Sequence, residues 1–464
     1  LPKYINPGGK TLPQKTSKTS RLAATEVLCS LYQKRSPVKQ LFDQAVQKHR
    51  LPSRERNLAM QLIYGVLRQR QYLDRMLALL SRTPLHKINP FVHQALAVGL
   101  YQLFFLERIP ESAAVNEAVD SCKAAKIPRR LHGFVNGILR QAIRQKSTLA
   151  TEALTDDAGK LLLNHPDWLV KRWLHNFGFA ETERLCRSNN CEPVLVLRVN
   201  SAAIASEEYC RSLDEAGIIY RPGSYSPDAI ALPDFHGPIS TIPGYAEGYF
   251  QVQDEAAQLA TSLLGPFRQR ATYLDACAGL GGKTAHLLQL TTQHDVQIHA
   301  VEPERHRLRK LRENISRLFP QNGPIIHEGT LQNFSSLHGD LSFDGILVDA
   351  PCSGTGVTGR HPDIRWNRRH EELVRYQKMQ KDLLASASLL IKPSGILVYA
   401  TCSLEPEENE HVVNDFLQSH PDFMLTDCAT CLPEPARGFV ENNFFAPHPS
   451  DTIDGFFAAR LQHR

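Results

Sequence analysis

LDACAGLGGKT, residues Leu274 to Thr284, decides the fold of this chain. An apolar segment with strand bias ends at Ala276, a glycine-rich turn follows, and Lys283 opens a helical pattern, so the stretch reads as a strand-turn-helix unit. Gly279, Gly281 and Gly282 let backbone approach a ligand, and the helix start offers unpaired N–H groups to an anionic moiety. A P-loop needs glycine where Cys277 stands, and a dinucleotide fingerprint counted from Gly279 needs glycine where Thr284 stands, so both readings fail. Alone, the turn is also compatible with a tight strand-to-helix connection.

The surrounding pattern extends the unit. Strands are predicted at Thr272–Ala276, Gln297–Val301, Ile325–His327, Gly345–Asp349 and Gly395–Ala400. Helices are predicted near Lys283–Leu290, Glu304–Leu318, Glu371–Leu390 and Glu407–Leu417. Such alternation predicts a parallel, doubly wound α/β sheet whose ligands sit at the carboxyl ends of its strands. The sheet region spans residues 251–464. Ahead of it, residues 147–250 mix a helix near Trp168–Arg187, the strand VLVLRVN at Val194–Asn200 and a helix near Glu207–Gly217, which predicts a small α/β adaptor. Residues 21–146 carry apolar stripes at helical spacing, such as Leu58, Leu62, Ile63 and Val66, cut by Pro52, Pro84, Pro90, Pro110 and Pro128 into an all-α bundle. Residues 1–20 read as a flexible basic arm.

A chain of 464 residues has room for about three domains. Its net charge of +5 is unevenly placed. Residues 1–146 hold 25 Lys and Arg against 8 Asp and Glu, so the remainder is acidic. That asymmetry points to a polyanionic partner, a solvated basic face being the alternative. Ten scattered cysteines do not make a disulfide framework, which implies a reducing cytoplasm. Ala95–Leu106 is too short to span a membrane, and Lys3, Lys10, Lys15 and Lys18 leave no apolar secretion signal.

Three further motifs carry chemistry. Glu302 ends the second predicted strand, where an acidic residue commonly accepts hydrogen bonds from ribose hydroxyls, pointing to a nucleoside-containing cofactor. LVDAPCSGTG, Leu347 to Gly356, and VYATCSLEPEENE, Val398 to Glu410, each put a cysteine just past a strand end. If those strands are neighbours, Cys352 and Cys402 share one crevice, in polar turns where a thiolate can form.

Taken together, these motifs resemble the RNA (cytosine-C5)-methyltransferases that use S-adenosylmethionine, and within them the RsmB family, whose catalytic domain follows a NusB-like helical domain. The resemblance runs from about Arg21 to Phe457 and includes Gln253 and Asp254, CAGLGGK, DAPCSGTG, RHPDIRW at Arg360–Trp366, ATCS and DGFFAA at Asp454–Ala459. It implies a Rossmann-like class I methyltransferase domain, S-adenosylmethionine as cofactor and 16S rRNA, or an assembling small subunit, as substrate, with cytosine 967 as target. It also implies Cys402 as the nucleophile that adds to C6 of cytosine, Cys352 as the thiol that assists product release, and Asp349 at the base or the cofactor. The reverse roles for the thiols stay open, since DNA cytosine methyltransferases use the cysteine of a PC motif.

The cofactor would lie against Cys277, Ala278, Gly279, Leu280, Gly281, Gly282, Lys283, Glu302 and Asp349. Gly279 and Leu280 replace the family's usual Ala-Pro, and Thr330 stands where the family has an Asp. Arg360, Arg365, Trp366, Arg368 and Arg369 read as phosphate and base contacts, a solvated charge run being the alternative. Because C5 and C6 are inaccessible to covalent attack within a stack, the target must be flipped out or lie in a loop. The single CxxC at Cys428 and Cys431 lacks a second ligand pair, so no metal is expected; neither is a membrane partner, and the chain is expected to be a monomer. Alternatives are a different rRNA site or tRNA, or an inactive NusB-like RNA-binding factor.

Overall fold

The computed structural model describes residues 20–34 and 36–464, and the described residues divide into two compact units, one up to residue 162 and the other 163–464. The arm expected over residues 1–20 lies outside the described residues except for Ser20.

The first unit is all helical: α1 (Ser20–Lys34), α2 (Val38–His49), α3 (Ser53–Arg68), α4 (Arg70–Leu80), α5 (Pro90–Phe105), α6 (Glu111–Ala124), α7 (Arg129–Arg144) and α8 (Lys146–Glu152). Pro52, Pro110 and Pro128 sit just ahead of α3, α6 and α7, where a missing N–H costs nothing. Asn89 caps α5 by accepting from the backbone N–H of Phe91 and Val92, and Pro90 occupies its first turn. The apolar α5 is the hub of the bundle, buried almost throughout from Val92 to Leu103, with the stripe Leu62, Ile63 and Val66 of α3 also in the core. Residues 147–162, beyond the expected end of the bundle at residue 146, pack on it. Tyr72 donates to the Ala150 carbonyl at 2.5 Å and Arg75 pairs with Asp157 at 2.6 Å, so residues 147–162 fold with the helices.

The second unit begins with α9 (Asp167–Asn190), broken at Gly178, and a four-stranded antiparallel sheet made of β1 (Leu195–Val199), β2 (Arg221–Pro222), β3 (Ala229–Leu232) and β4 (Phe250–Val252), with α10 (Ser206–Glu215) between β1 and β2. Its order is β2-β3-β1-β4, and the inward residues Leu197, Val199, Ile230 and Phe250 pack on Tyr209 and Leu213 of α10. Because β4 pairs with β1, the adaptor extends to Val252, slightly past its expected end.

The large sheet follows, with α11 (Glu255–Ser262), β5 (Thr272–Asp275), α12 (Gly282–Leu290), β6 (Gln297–Glu302), α13 (Arg305–Leu318), β7 (Ile325–Glu328), α14 (Leu331–Leu337), β8 (Phe343–Asp349), α15 (Asp363–Asn367), α16 (Glu372–Ser388), β9 (Ile391–Thr401), α17 (Glu410–Ser419), β10 (Phe423–Thr426), β11 (Val440–Glu441), β12 (Phe444–Phe445) and β13 (Phe457–His463). Five parallel strands stand in the order β9-β8-β5-β6-β7, and β13 pairs antiparallel with β9 and extends the sheet to β12, β11 and β10. Both faces of the parallel part are buried, as the period of two requires: Ile346, Val348, Leu397 and Tyr399 pack on one side with Leu384 and Val412, while Leu347, Ile396 and Val398 pack on the other with Leu259 and Leu287. Each such aliphatic side chain contributes about 1.5–3 kcal/mol by burial. The direction of progression reverses between β5 and β8, which opens a crevice at the carboxyl ends of β5, β8 and β9. Among the described residues no helix is long and apolar enough to cross a membrane.

Candidate active site

Strands β8 and β9 are neighbours, with Asp349 in register with Ala400, so the turns that follow them lie side by side. The result is a thiol pair: Cys352 Sγ and Cys402 Sγ are 3.3 Å apart. The turns are also joined through backbone, since the Gly356 N–H donates to the Cys402 carbonyl at 3.0 Å. A Cβ at Gly356 would meet the Gly455 carbonyl at 2.4 Å and that of Cys402 at 2.9 Å, so only glycine allows this approach. Contact with Cys402, burial and the charges of Cys402 and Glu408 push the Cys352 thiol well up. Two sulfurs this close hold one negative charge far more readily than two, so a thiolate on one keeps the other protonated.

Beside the thiols, Lys283 Nζ donates to Asp349 Oδ2 at 2.7 Å, and its ammonium lies 5.2 Å from the centre of the Phe456 ring. Burial pulls the Lys283 ammonium down, but Asp349, then Cys402 and Asp275, outweigh it and hold its pKa above the usual lysine value. The pair is a fixed cation and a carboxylate at the strand ends where a polar substrate edge would arrive.

The glycine-rich turn builds the other side of the crevice. The Gly279 N–H donates to Glu302 Oε2 at 2.9 Å, and the Glu304 N–H to Glu302 Oε1 at 2.8 Å. Each carboxylate oxygen of Glu302 keeps a second acceptor site, which is what two vicinal ribose hydroxyls require. Gly281 has φ 84° and leads directly into α12, and a Cβ there would press on Leu311 at 3.2 Å. Cys277 and Ala278 bridge β5 to the turn, with Ala278 N–H bonded to the Val301 carbonyl at 3.0 Å, while Leu280 is exposed. Thr330 is the N-cap of α14, its hydroxyl accepting from the Asn333 N–H at 3.2 Å, so its first duty is to that helix.

The arginine run departs from expectation. Arg365, only 1 % exposed, donates to the carbonyls of Asn164, Asn189 and Thr358 and to the Asn190 side chain at 2.6–3.1 Å. Arg360 bridges Asp454 at 2.5 Å and Asp254 at 2.9 Å and also donates to the Val194 carbonyl. Arg368 donates to the Ser353 carbonyl at 2.9 Å and lies over the Tyr376 ring. Thus Arg365 is enclosed by oxygens of its own chain, and Arg360, a quarter exposed, is held between two carboxylates. Arg369 is exposed and Trp366 half-buried.

Several contributors escape a linear reading. Arg198 of β1, fully buried, donates to the Gly282 carbonyl at 2.9 Å, to Gln253 and to Gln289 at 3.1 Å, which ties the adaptor sheet to the start of α12. Burial lowers its guanidinium to about 9, with Asp228 opposing. Its only sequence signal is a cation inside the apolar strand VLVLRVN. Glu405, under the Cys402 turn, receives Arg172 at 2.7 Å and the Trp173 indole at 3.1 Å from α9. Among the described residues no group of three or more His, Cys, Asp or Glu is arranged to hold a metal ion.

A parallel sheet with a glycine turn, a ribose-type carboxylate and reactive groups at the switch point defines a nucleoside-cofactor-dependent transferase, and the comparisons narrow it. Residues 262–462 match the family described as 16S rRNA methyltransferase RsmB/F, residues 18–144 the NusB family, and residues 165–237 the ferredoxin-like domain of RsmF/B-like methyltransferases. The chain is 36 % identical to the ribosomal RNA small subunit methyltransferase B of Salmonella arizonae over 89 % of this chain and 92 % of that protein. Among solved structures, that of PH0851 is 25 % identical with a TM-score of 0.75, covering 96 % of this chain and 98 % of that one. A methyltransferase homolog from Pyrococcus horikoshii is 26 % identical with a TM-score of 0.55, covering 65 % of this chain and 96 % of that one. The chain belongs to the RsmB/F family of 16S rRNA methyltransferases. S-adenosylmethionine is the cofactor of this class, and the donor set around Glu302 and the turn suits it.

Proposed function

We propose that the protein transfers a methyl group from S-adenosylmethionine to C5 of a cytosine in 16S rRNA, cytosine 967, through a covalent adduct between Cys402 and C6. The observation that carries this reading is the thiol pair, 3.3 Å apart and adjoining the Lys283–Asp349 pair. The C5 carbon of cytosine is a poor nucleophile, and adding a thiolate to C6 turns it into an enamine-like carbon. Cys402 forms the Sγ–C6 bond, and its electron pair moves through the ring to C5. Bound cofactor supplies an electrophilic methyl group to C5. Asp349 stabilises the activated ring by a hydrogen bond at its edge, with Lys283 fixing the carboxylate. Cys352 assists the end of the reaction: with Cys402 bound to C6 it gives up its own proton to solvent and, as a thiolate, takes the C5 proton, so that the C5–C6 double bond re-forms and the Sγ–C6 bond breaks, returning the Cys402 thiolate.

Glu302 and the turn from Cys277 to Lys283 would hold the cofactor, with Thr330 a neutral replacement for the family's acid. Of the arginine run, Arg368, Arg369 and Trp366 remain candidates for RNA contact. The basic residues 1–146 would grip phosphates in the cytoplasm, so affinity should fall steeply with salt and the dependence should flatten when they are deleted.

Tritium transfer from labelled cofactor to 16S rRNA, followed by bisulfite mapping of small-subunit rRNA from cells with and without the protein, tests the reading. A single protected cytosine that disappears with the protein is expected. No incorporation into RNA, or protection at another site alone, would overturn it.

A further inference from the structure

Both cysteine turns hang on one buried carboxylate. Glu408, in the short 3₁₀ turn Pro406–Glu408 before α17, is fully buried. Its Oε1 accepts from the Ser353 N–H at 2.8 Å and from Gln380 Nε2 at 3.0 Å. Oε2 accepts from the Ser403 hydroxyl at 2.6 Å and from the Ser353 hydroxyl. Ser353 directly follows Cys352, and Ser403 directly follows Cys402. Gln380 of α16 also donates to the Pro351 carbonyl at 3.0 Å, on the other side of Cys352. The Glu408 backbone carbonyl accepts from the Tyr399 hydroxyl at 2.6 Å, which fixes the carboxylate's own stem to β9.

We infer that Glu408 is a positioning residue that sets the separation of the Cys352 and Cys402 thiols by holding the residue after each of them on one carboxylate. The inference rests on the reading of these thiols as the reacting pair. Four donors converge on the two oxygens, an arrangement that suits a carboxylate, which accepts on both atoms, and not an amide, which offers one acceptor and two donors. A buried carboxylate of this kind is held by several hydrogen bonds or is not tolerated at all. Its charge also acts on the nearer thiol, adding to the rise in the Cys352 pKa. The consequence is a pair of sulfurs whose spacing does not depend on RNA or cofactor, so one thiol can add to the base while the other stays within reach of the same ring.

The test compares the full-length chain with Glu408→Gln, Glu408→Asp, Ser353→Ala and Ser403→Ala, using two readouts. One is kcat and KM for methyl transfer. The other is affinity for phenylarsine oxide, a trivalent arsenical that bridges two neighbouring thiols, with Cys352→Ala as the blank. Glu408→Gln should lower kcat by about 10–100-fold, the size expected of a misplacement near 1 Å, while KM for the cofactor changes by less than about twofold. Arsenical affinity should fall about tenfold or more as the bridging geometry loosens. Glu408→Asp should recover part of both. Wild-type kcat and wild-type arsenical affinity in Glu408→Gln would overturn the inference, as would a loss of kcat matched by loss of cofactor binding with the arsenical unaffected. If Glu408→Gln does not fold, the serine variants decide: each should reduce both readouts, and wild-type values in both would overturn it. If the wild-type protein methylates no RNA, the proposed function fails, and the arsenical measurement alone decides the clamp.

Discussion

The cofactor turn from Cys277 to Lys283 and the arginine run from Arg360 to Arg369 look equally suited to an outside ligand in the sequence, and they end in opposite states. The turn fastens itself with few internal bonds, one N–H on Glu302 and a left-handed glycine at Gly281, and directs a helix start and the Lys283–Asp349 pair at the crevice. Part of the run turns inward. Arg360 and Arg365 are engaged by Asp254, Asp454 and a set of backbone carbonyls, so two cations of a stretch that reads as an anion site brace the chain, while Arg369 stays exposed. A cation binds whichever oxygens reach it first at the lowest solvation cost, and a folded chain presents its own oxygens before any RNA arrives. Glycine geometry has no such internal competitor, so spacing fixes the shape of a turn more directly than charge fixes an ion's partner.

The largest effect expected on the open side is at the thiols. Cys402→Ala should reduce methyl transfer by on the order of a thousandfold or more and abolish the RNA adduct, while Cys352→Ala should keep the adduct and fail to release it. Gel-retained protein–RNA complexes distinguish them, and an adduct formed by Cys402→Ala but not by Cys352→Ala would reverse the roles. Next comes the closed side. Arg360→Met leaves two partly buried carboxylates without their cation and should cost about 3–5 kcal/mol of stability in denaturant unfolding. Its RNA affinity per folded molecule should be unchanged, and a variant of full stability with weakened RNA binding would erase the distinction between the two stretches.

A smaller effect is expected from Glu302→Gln, which leaves one of two backbone N–H groups facing an amide donor and weakens the acceptor for the ribose, lowering cofactor affinity about tenfold by calorimetry and unfolding stability by about 1–3 kcal/mol. The smallest concerns Asp275, which ends β5 beneath the turn. Burial pushes its carboxyl up to about 6 from an ordinary 3.8, with the Thr284 hydroxyl opposing and the Asp349 charge adding to the rise. A raised acid favours the native state while protonated, so this contribution is present below about pH 4 and is lost as pH rises through about 6. Asp275→Asn should match wild type in stability near pH 4 and exceed it at neutral pH; parallel curves across that window would show that the site's acid carries no such burden.

Much of the architecture was legible. The five parallel strands fall within a few residues of their expected places, since all but the edge strand β7 are largely buried runs bounded by turn residues, and the thiols lie together because β8 and β9 are adjacent. The antiparallel strands β10 to β13 and the short α14 were not anticipated. β11 and β12 have only two residues each, too few for alternation to show, and α14 has seven, less than two full turns. Around the crevice, the motif cysteines, Asp349, Lys283 and Glu302 stand at strand ends and a helix start that the sequence marks. Arg198, Glu405 and Glu408 are not so marked, as each acts on residues far along the chain or through neighbours that spacing does not mark.

By itself the sequence determined where strands end, which turn must bend through glycine and which atoms can act as nucleophiles, because dihedral preference, hydrophobic period and thiol chemistry are local properties. Only the tertiary structure decided which charges remain available, because an ion's partner is set by the oxygens that folding brings within reach. It likewise decided that the two thiols stand 3.3 Å apart over one carboxylate, since that distance comes from strand adjacency and hydrogen bonds among residues fifty or more positions apart.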